Sequence, residues 1–452
     1  MLAALLLAQI LQPVRPVEPP ARSSIREPLP APVPEAPPEG PVLPLAEALA
    51  QLRDRSPDLA VALERVTQAQ NNVQRAWATV QPTLTATGTV THNSYSGAYV
   101  DYSRLSITST GPNTQSAAIN FNWNIFNYRA VPALQTAYQQ VEVARLTETQ
   151  QRRELLLDVA STYYAGLALK ELAAVAARQA KATRDHAIEA QARYEAGLIQ
   201  LSAALRARID YLRADQETRR AQFNYAASRS QLAALLDRRD TAFELAPPAQ
   251  PPEEIRGAFK DLIAKALEER PEMAAARANE EIAARLKTDA WAQFLPSLAL
   301  TANARYNHPV AASTIDASTW AFALTITLPI YDGGFRYVAL KDADSQMRQA
   351  RAQTRSEASR IEDELRRAQL DLESARALRD EAEQALAASR ENERLVRAQF
   401  AAGTASQVEV SDAEAALFQS ESTALQQRLS VQIAALRVAK AVGAFDLPEA
   451  AK

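Results

Sequence analysis

The sequence states one long pattern twice. The run Pro57–Asp58–Leu59, Ala76–Trp77–Ala78, Pro82–Thr83–Leu84 returns as Pro271–Glu272–Met273, Ala290–Trp291–Ala292, Pro296–Ser297–Leu298, displaced without a gap by 214 residues, from 57 to 271 and from 82 to 296. Further on, Tyr194–Glu195–Ala196–Gly197 returns as Phe400–Ala401–Ala402–Gly403, displaced by 206 residues, from 194 to 400. A repeat this long means two copies of one large structural unit, not a short-period solenoid. Each copy reads as helix, strand, loop, strand, very long helix, turn and helix. The first occupies 45–245 and the second 258–446, with a Pro-rich linker at 246–257 (Pro247, Pro248, Pro251, Pro252) between them. A short tail, 447–452, follows.

The strands are few, and they alternate. In Trp320–Ile330 one face is Trp320, Phe322, Leu324, Ile326, Leu328 and Ile330, and the other is Ala321, Ala323, Thr325 and Thr327. Period two marks a strand. The first copy has Ile119, Phe121, Trp123 and Ile125 on one face against Asn120, Asn122 and Asn124. The leading strands alternate too. Leu84, Ala86 and Val90 oppose threonines, and Leu298, Leu300, Ala302 and Tyr306 oppose Ser297, Thr301, Asn303 and Arg305. Strands are expected at about 82–93, 116–126, 296–306 and 319–330, with Pro82 and Pro296 where the chain enters the leading strands. About ten residues suit a tilted strand that crosses a bilayer. Alternation also describes a half-buried sheet in a soluble protein. Here the rest of the chain is helical and supplies nothing to cover so aromatic a face. Lipid outside and water inside account for both faces, which makes Ile119, Phe121, Trp123, Trp320, Phe322, Leu324, Ile326 and Leu328 the expected lipid contacts. Four strands cannot close a barrel, and open strand edges are not tolerated in lipid. Three chains giving twelve strands is the natural solution. The loops at 93–116 and 307–318, rich in Ser, Tyr, Thr, Gly and Asn, read as hairpin tips facing the cell exterior.

The helices are long. From about Tyr128 to Arg193 little interrupts beyond Pro132 and Gly166, and from about Phe335 to Phe400 there is neither glycine nor proline. About 65 residues at 1.5 Å each make a rod of roughly 100 Å, which implies a coiled coil or helical barrel. Ile361, Leu365, Ala368, Leu372 and Ala375 follow a heptad seam, which Leu378, Ala382 and Ala385 resume after a shift. A plain coiled-coil stalk has the same periodicity. Turns at Gly197 and Gly403 end the long helices, and return helices run to about Leu236 and Val442. Helical hairpins therefore cover about 128–236 and 335–442.

Bulk properties exclude much. With 53 acidic and 50 basic residues the net charge is −3, which gives no nucleic-acid footprint. There is no cysteine, hence no disulfide framework, thiolate metal site, cysteine nucleophile or lipidated N-terminal cysteine. Three dispersed histidines, His92, His186 and His308, have no metal-ligand spacing. No phosphate-cradling glycine loop or nucleophile–base constellation is visible, so neither an enzyme nor a cofactor is expected. No stretch of about 20 apolar residues offers a helical membrane span. Residues 1–11 resemble the apolar core of a secretion signal without its basic start. Residues 12–44 are proline-dense and read as an extended, unpacked extension.

Taken in order, the doubled Trp77/Trp291 and Pro82/Pro296 pairs, the exit Leu328–Pro329–Ile330–Tyr331–Asp332–Gly333–Gly334 and the turns at Gly197 and Gly403 resemble the TolC family of outer-membrane efflux channels over about residues 45–446. The resemblance implies a mainly α protein with membrane β: a homotrimer whose twelve-stranded barrel sits in outer-membrane lipid and continues as an α-helical periplasmic tunnel. It implies passive export, in tripartite efflux or type I secretion, with an inner-membrane pump and a periplasmic adaptor. The adaptor would meet the hairpin tips, here Glu195, Gly197, Leu198, Gly403 and Thr404. Glu409 and Asp412 match the acidic positions of the family's periplasmic constriction, although an i,i+3 acid pair also fits a solvated helix face. Some members carry a locking arginine where this chain has Ala405. The first copy has Ala203 and Arg206 at the positions matching the two acids, so the hairpins differ. A trimeric adhesin or structural stalk sharing a barrel anchor is the alternative, but an adhesin carries one C-terminal anchor and this chain has two separated strand pairs. The cargo is not legible.

Overall fold

A computed structural model of the chain describes residues 29–31, 40–92, 94, 97–101, 106–110, 113–248, 255–308 and 316–444. The secretion-signal segment 1–11, most of the extension 12–44, the middle of the linker 246–257 and the tail 447–452 lie outside the described residues.

The first copy runs β1 (Val42–Leu43), α1 (Leu45–Arg55), α2 (Pro57–Ala78), β2 (Thr83–His92), β3 (Gly97–Asp101), β4 (Ser106–Thr110), β5 (Asn113–Phe126), α3 (Ala130–Glu195) and α4 (Leu201–Leu235), followed by β6 (Glu244–Leu245). The second runs α5 (Phe259–Glu269), α6 (Pro271–Ala292), β7 (Ser297–His308), β8 (Ser318–Thr327), α7 (Phe335–Ala401) and α8 (Gln407–Val442). No helix among the described residues is long and apolar enough to cross a membrane. Packing divides the chain into two compact units, and neither is a repeat. One comprises Met1–Ala48, Val159–Pro252 and Asp371–Ala435; the other comprises Leu49–Asp158, Glu253–Leu370 and Leu436–Lys452. The repeat is a unit of sequence, whereas each compact unit takes segments from both copies.

In the second of these units four strands form one antiparallel sheet in the order β2–β5–β7–β8. Strand β8 is shorter than the expected 319–330. It stops at Thr327, so Leu328 and Ile330 lie past its end. The reason is Pro329, which has no N–H for a ladder. Segment 93–116, expected as loop, carries a separate antiparallel ribbon in which Gly97 faces Thr110 and Asp101 faces Ser106. The exit from β8 is locally built. Gly333 and Gly334 take φ of 71° and 90°, a region that favours glycine. The Asp332 carboxylate accepts the Gly334 N–H at 3.1 Å and the Arg336 N–H at 3.2 Å, which caps the start of α7. Arg336 in turn donates to the Pro329 carbonyl at 2.8 Å.

Heptad positions Ile361, Leu365 and Ala368 in that unit, and Leu372 and Ala375 in the other, are buried as the spacing predicts. Beyond Ala375 the expected shift does not occur. Leu378 is 47% exposed, Ala385 is exposed, and the buried residues are Ala382 and Leu386. The 4–3 spacing simply continues through half-buried Arg379, whose aliphatic stem can occupy a seam while its charge reaches water.

In the other unit the described end of the N-terminal extension packs as a strand. Val42 and Leu43 pair in parallel with Glu244 and Leu245, so this strip and the last residues before the linker form a two-stranded clasp on the helices. Fully buried Tyr163 of α3 holds both sides. Its hydroxyl lies 2.7 Å from the Leu43 carbonyl and 2.8 Å from the Ala246 carbonyl, and it accepts the Ala246 N–H at 3.2 Å. Gly166, one turn on, makes room for the clasp. A Cβ there would stand 2.6 Å from Leu245 Cδ1 and 3.2 Å from Ser228 Oγ. Gly166→Ala should therefore destabilise the clasp by about 1–3 kcal/mol through overpacking. Amide exchange at Glu244 and Leu245 measures this, and faster exchange is the expected outcome.

Candidate functional site

The sheet has two chemically opposite faces, and register decides which residues share them. Phe121 faces Leu84 on β2 and Ala302 on β7, and Ala302 faces Phe322 on β8. Leu300 likewise lies between Trp123 and Leu324, and Ala304 between Ile119 and Trp320. Seven of the expected lipid contacts thus fall on one continuous face, while Leu328 lies beyond it. Phe322 is 70% and Leu324 60% exposed, so the described residues leave that face uncovered. The opposite face carries the β2 threonines, then Asn120 and Asn122, Thr301 and Asn303, and Thr325. Asn303 donates to Asn120 across the β5–β7 pair. Pro82 and Pro296 stand immediately before β2 and β7.

A bulge between Asn124 and Phe126 alters one assignment. Ile125 is the extra residue, and Phe126, not Ile125, faces Leu298. Several aromatic residues also stand at this end of the sheet. Trp123 donates to the Val80 carbonyl at 3.1 Å, and exposed Tyr128, Tyr331, Phe335 and Tyr337 lie in the segments that leave the strands. Toward the opposite end of β7 and β8, on the apolar face, are Tyr306 and Trp320, with Trp320 stacked on Phe322 at 6.4 Å. Amphipathic rings at both ends of an apolar band are what two membrane interfaces favour. This signal was present in the sequence as aromatics flanking each strand.

The hairpin unit carries the second group of residues. Gly197 and Gly403 take nearly the same positive φ, 76° and 77°, and each closes a helix end: Leu198 N–H donates to Arg193 O and Thr404 N–H to Gln399 O, both at 2.9 Å. Glu195, Leu198 and Thr404 are exposed at these turns, with Leu198 at 74%. Arg193 of the first hairpin lies 5.2 Å over the Phe400 ring of the second.

Glu409 has a local task. The Ser406 N–H donates to its carboxylate at 2.6 Å, and Ser406 Oγ accepts the Glu409 N–H at 3.3 Å. This reciprocal pair is a capping box at the start of α8, legible in the sequence as Ser-x-x-Glu. The bond from the Ser406 N–H, with that to its hydroxyl, holds the Glu409 carboxyl below the ordinary carboxylate range. Asp412 is exposed, and Arg206 of α4 stands 3.8 Å away. The position that distinguishes the first copy is thus a counter-charge for the second.

Sequence reasoning passed over a buried polar cluster here. Glu414 is 4% exposed, yet it accepts from His186 Nε2 of α3 at 2.7 Å and from Arg397 of α7 at 3.0 Å. Arg397 also pairs with Glu393 at 2.5 Å. One buried carboxylate therefore joins three helices of two hairpins. The residues lie far apart in sequence, so no local motif announces them. Among the described residues no group of three or more His, Cys, Asp or Glu could hold a metal ion.

The sequence profile of the outer membrane efflux protein family matches residues 48–238 and 262–444. The chain belongs to that family. The efflux protein also shares its fold with solved structures of low sequence identity. The outer membrane protein VceC of Vibrio cholerae is 20% identical with a TM-score of 0.70, over 88% of this chain and 96% of that one. A membrane protein from Pseudomonas aeruginosa is 19% identical with a TM-score of 0.75, over 88% and 93%. The MtrE outer membrane channel of Neisseria gonorrhoeae, in its open state, is 19% identical with a TM-score of 0.69, over 89% and 90%. No curated protein matches the chain. The efflux protein is accordingly an outer-membrane protein with the TolC-like fold, and its two profile matches follow the two copies of the repeat.

The cluster gives the efflux protein a pH signature. The hydrogen bond to Glu414 holds His186 above its ordinary 6.5 in spite of burial, with Glu189 adding to the effect and Arg397 opposing it. A raised histidine stabilises fully below its unfolded value and loses that contribution as pH rises through the folded one. In His186→Gln, amides of α8 around Glu414 should exchange faster than in the native chain below pH 6.5. The difference should shrink as pH rises and the charge on His186 is lost, and exchange mass spectrometry at matched pH checks both.

Proposed function

We propose that this chain is the exit duct of a tripartite efflux or type I secretion system, built as a trimer around a shared twelve-stranded barrel. The observation that carries the reading is the sheet itself: one uncovered apolar face, one polar face, and edge strands β2 and β8 that each pair on one side within the chain. Ten residues at about 3.4 Å, tilted by about 40°, span roughly 25 Å, the height of a barrel's apolar band. β8 has 10 residues. Pairing β8 of one copy with β2 of the next satisfies both edges, and repetition closes the ring. The Thr and Asn face then lines water and the Phe, Leu and Trp face meets lipid, which accounts for the seven residues from Ile119 to Ile326. The duct performs no chemistry of its own, and a partner pump supplies the energy. The turns at Glu195–Leu198 and Gly403–Thr404 are offered to the periplasmic adaptor.

The two faces of β8 give the test. Leu324→Arg places a charge against lipid and should cost about 2–4 kcal/mol per chain, lowering the yield of assembled protein in the outer membrane. Ala323→Arg, one residue away, faces the lumen and should assemble normally. Equal behaviour of the two variants would contradict the assignment of faces.

We also assign Glu409 and Asp412 to a periplasmic constriction, supported by their exposure near the second turn. Three copies make two carboxylate rings, which favour cations and bind multivalent ones. Glu409→Gln with Asp412→Asn should raise the trivalent-cation concentration needed to block single-channel current. Unchanged block would remove both residues from the passage, leaving Glu409 as a helix cap and Asp412 as the partner of Arg206.

A further inference from the structure

Among the described residues, the first helical hairpin carries an occupied groove near its turn. Beside the Gly197 turn, Ala187 and Ala190 of α3 and Ala207 and Tyr211 of α4 form a buried cluster, and Leu29 packs against it together with Ile199. Tyr211 is fully buried, and its hydroxyl donates to the Pro30 carbonyl at 2.6 Å. We propose that this groove is a docking site for an extended, proline-containing segment, and that its occupant is the chain's own Leu29–Pro30, held there as an intramolecular strap.

Reach, chemistry and symmetry support the same occupant. The strap's other anchor is the clasp at Val42–Leu43, whose partner Leu245 donates its N–H to Tyr225 at 3.4 Å. Tyr211 and Tyr225 are fourteen residues apart on α4, about 21 Å along a helix. Thirteen residues join Pro30 to Leu43 and reach up to about 43 Å, so one chain spans both anchors with slack. The extension's prolines restrict its free conformations, which lowers the entropy lost on docking. The groove supplies what an extended segment needs: small alanines that admit an aliphatic side chain, and one buried hydroxyl for a backbone carbonyl.

Helices α4 and α8 begin 206 residues apart, at 201 and 407, the same displacement as the turns. At that displacement the second hairpin places Glu393, Val396, Ala413 and Leu417 where the first has Ala187, Ala190, Ala207 and Tyr211. A carboxylate and a valine replace two alanines, and leucine has no hydroxyl to offer a carbonyl. The strap therefore fits one hairpin of the pair, and a partner approaching the two turns meets different surfaces.

The absence of native cysteine makes the test clean. In the full-length protein, Leu29→Cys with Ala207→Cys and a short bis-maleimide should give a link within one chain, seen as a joined peptide in protein of monomer mobility. Leu29→Cys with Ala413→Cys should give little or none. In a separate variant, Tyr211→Phe keeps the ring and removes the hydroxyl, and should speed amide exchange of residues 201–211 by about two- to tenfold, the equivalent of one hydrogen bond. Links between chains, equal linking at Ala413, or no link with unchanged exchange in Tyr211→Phe would each overturn the proposal.

Discussion

A backbone edge in hydrocarbon has no water to satisfy it, and the rest of this structure depends on that constraint. Among the described residues the sheet β2–β5–β7–β8 ends in two strands with one free side each, and its apolar face is uncovered. A soluble protein would cover such a face with a helix or second sheet. Here the four longest helices, α3, α4, α7 and α8, form two hairpins with buried residues of their own. The described residues thus leave two edges and one face open, and the proposed pairing with further copies of the chain would complete them. The aromatic residues at both ends of the apolar band fit the same solvent: rings at the interfaces and aliphatic side chains between them.

The hairpin unit solves a different problem. Helices this long cannot rely on a single core, so they are joined at intervals by discrete polar devices. The clasp around Tyr163 ties the N-terminal strip to the linker, and Glu414 ties His186 to Arg397. A buried carboxylate is expensive unless its partners are present, which makes such a tie all-or-none. The capping box at Ser406–Glu409 and the Asp332 cap after β8 fix where two of the helices begin, so the turns and the sheet exit are set by local chemistry as well as by packing.

Much of this was legible in the sequence. Period-two alternation located the four strands, and the doubled Trp and Pro positions gave the tandem architecture, because both are local patterns with long reach. The errors have physical causes. Pro329 ended β8 three residues early, and the bulge at Ile125 moved Phe126 onto the apolar face. The seam of α7 ran on through Arg379 because a long aliphatic stem can fill a position that a residue-type rule assigns to solvent. The Glu414 cluster and the groove at Tyr211 were invisible because their members are distant in the chain and individually unremarkable. Glu409 was read by analogy alone, although Ser-x-x-Glu already described its local role.

The dependence of one chain on its copies can be counted directly. Native mass spectrometry of the full-length protein, extracted from the outer membrane in mild detergent, measures the number of chains per particle. Three chains are expected, with no stable monomer at any dilution that keeps the fold. A folded single chain that stays dispersed without detergent would contradict the shared barrel and the duct built on it.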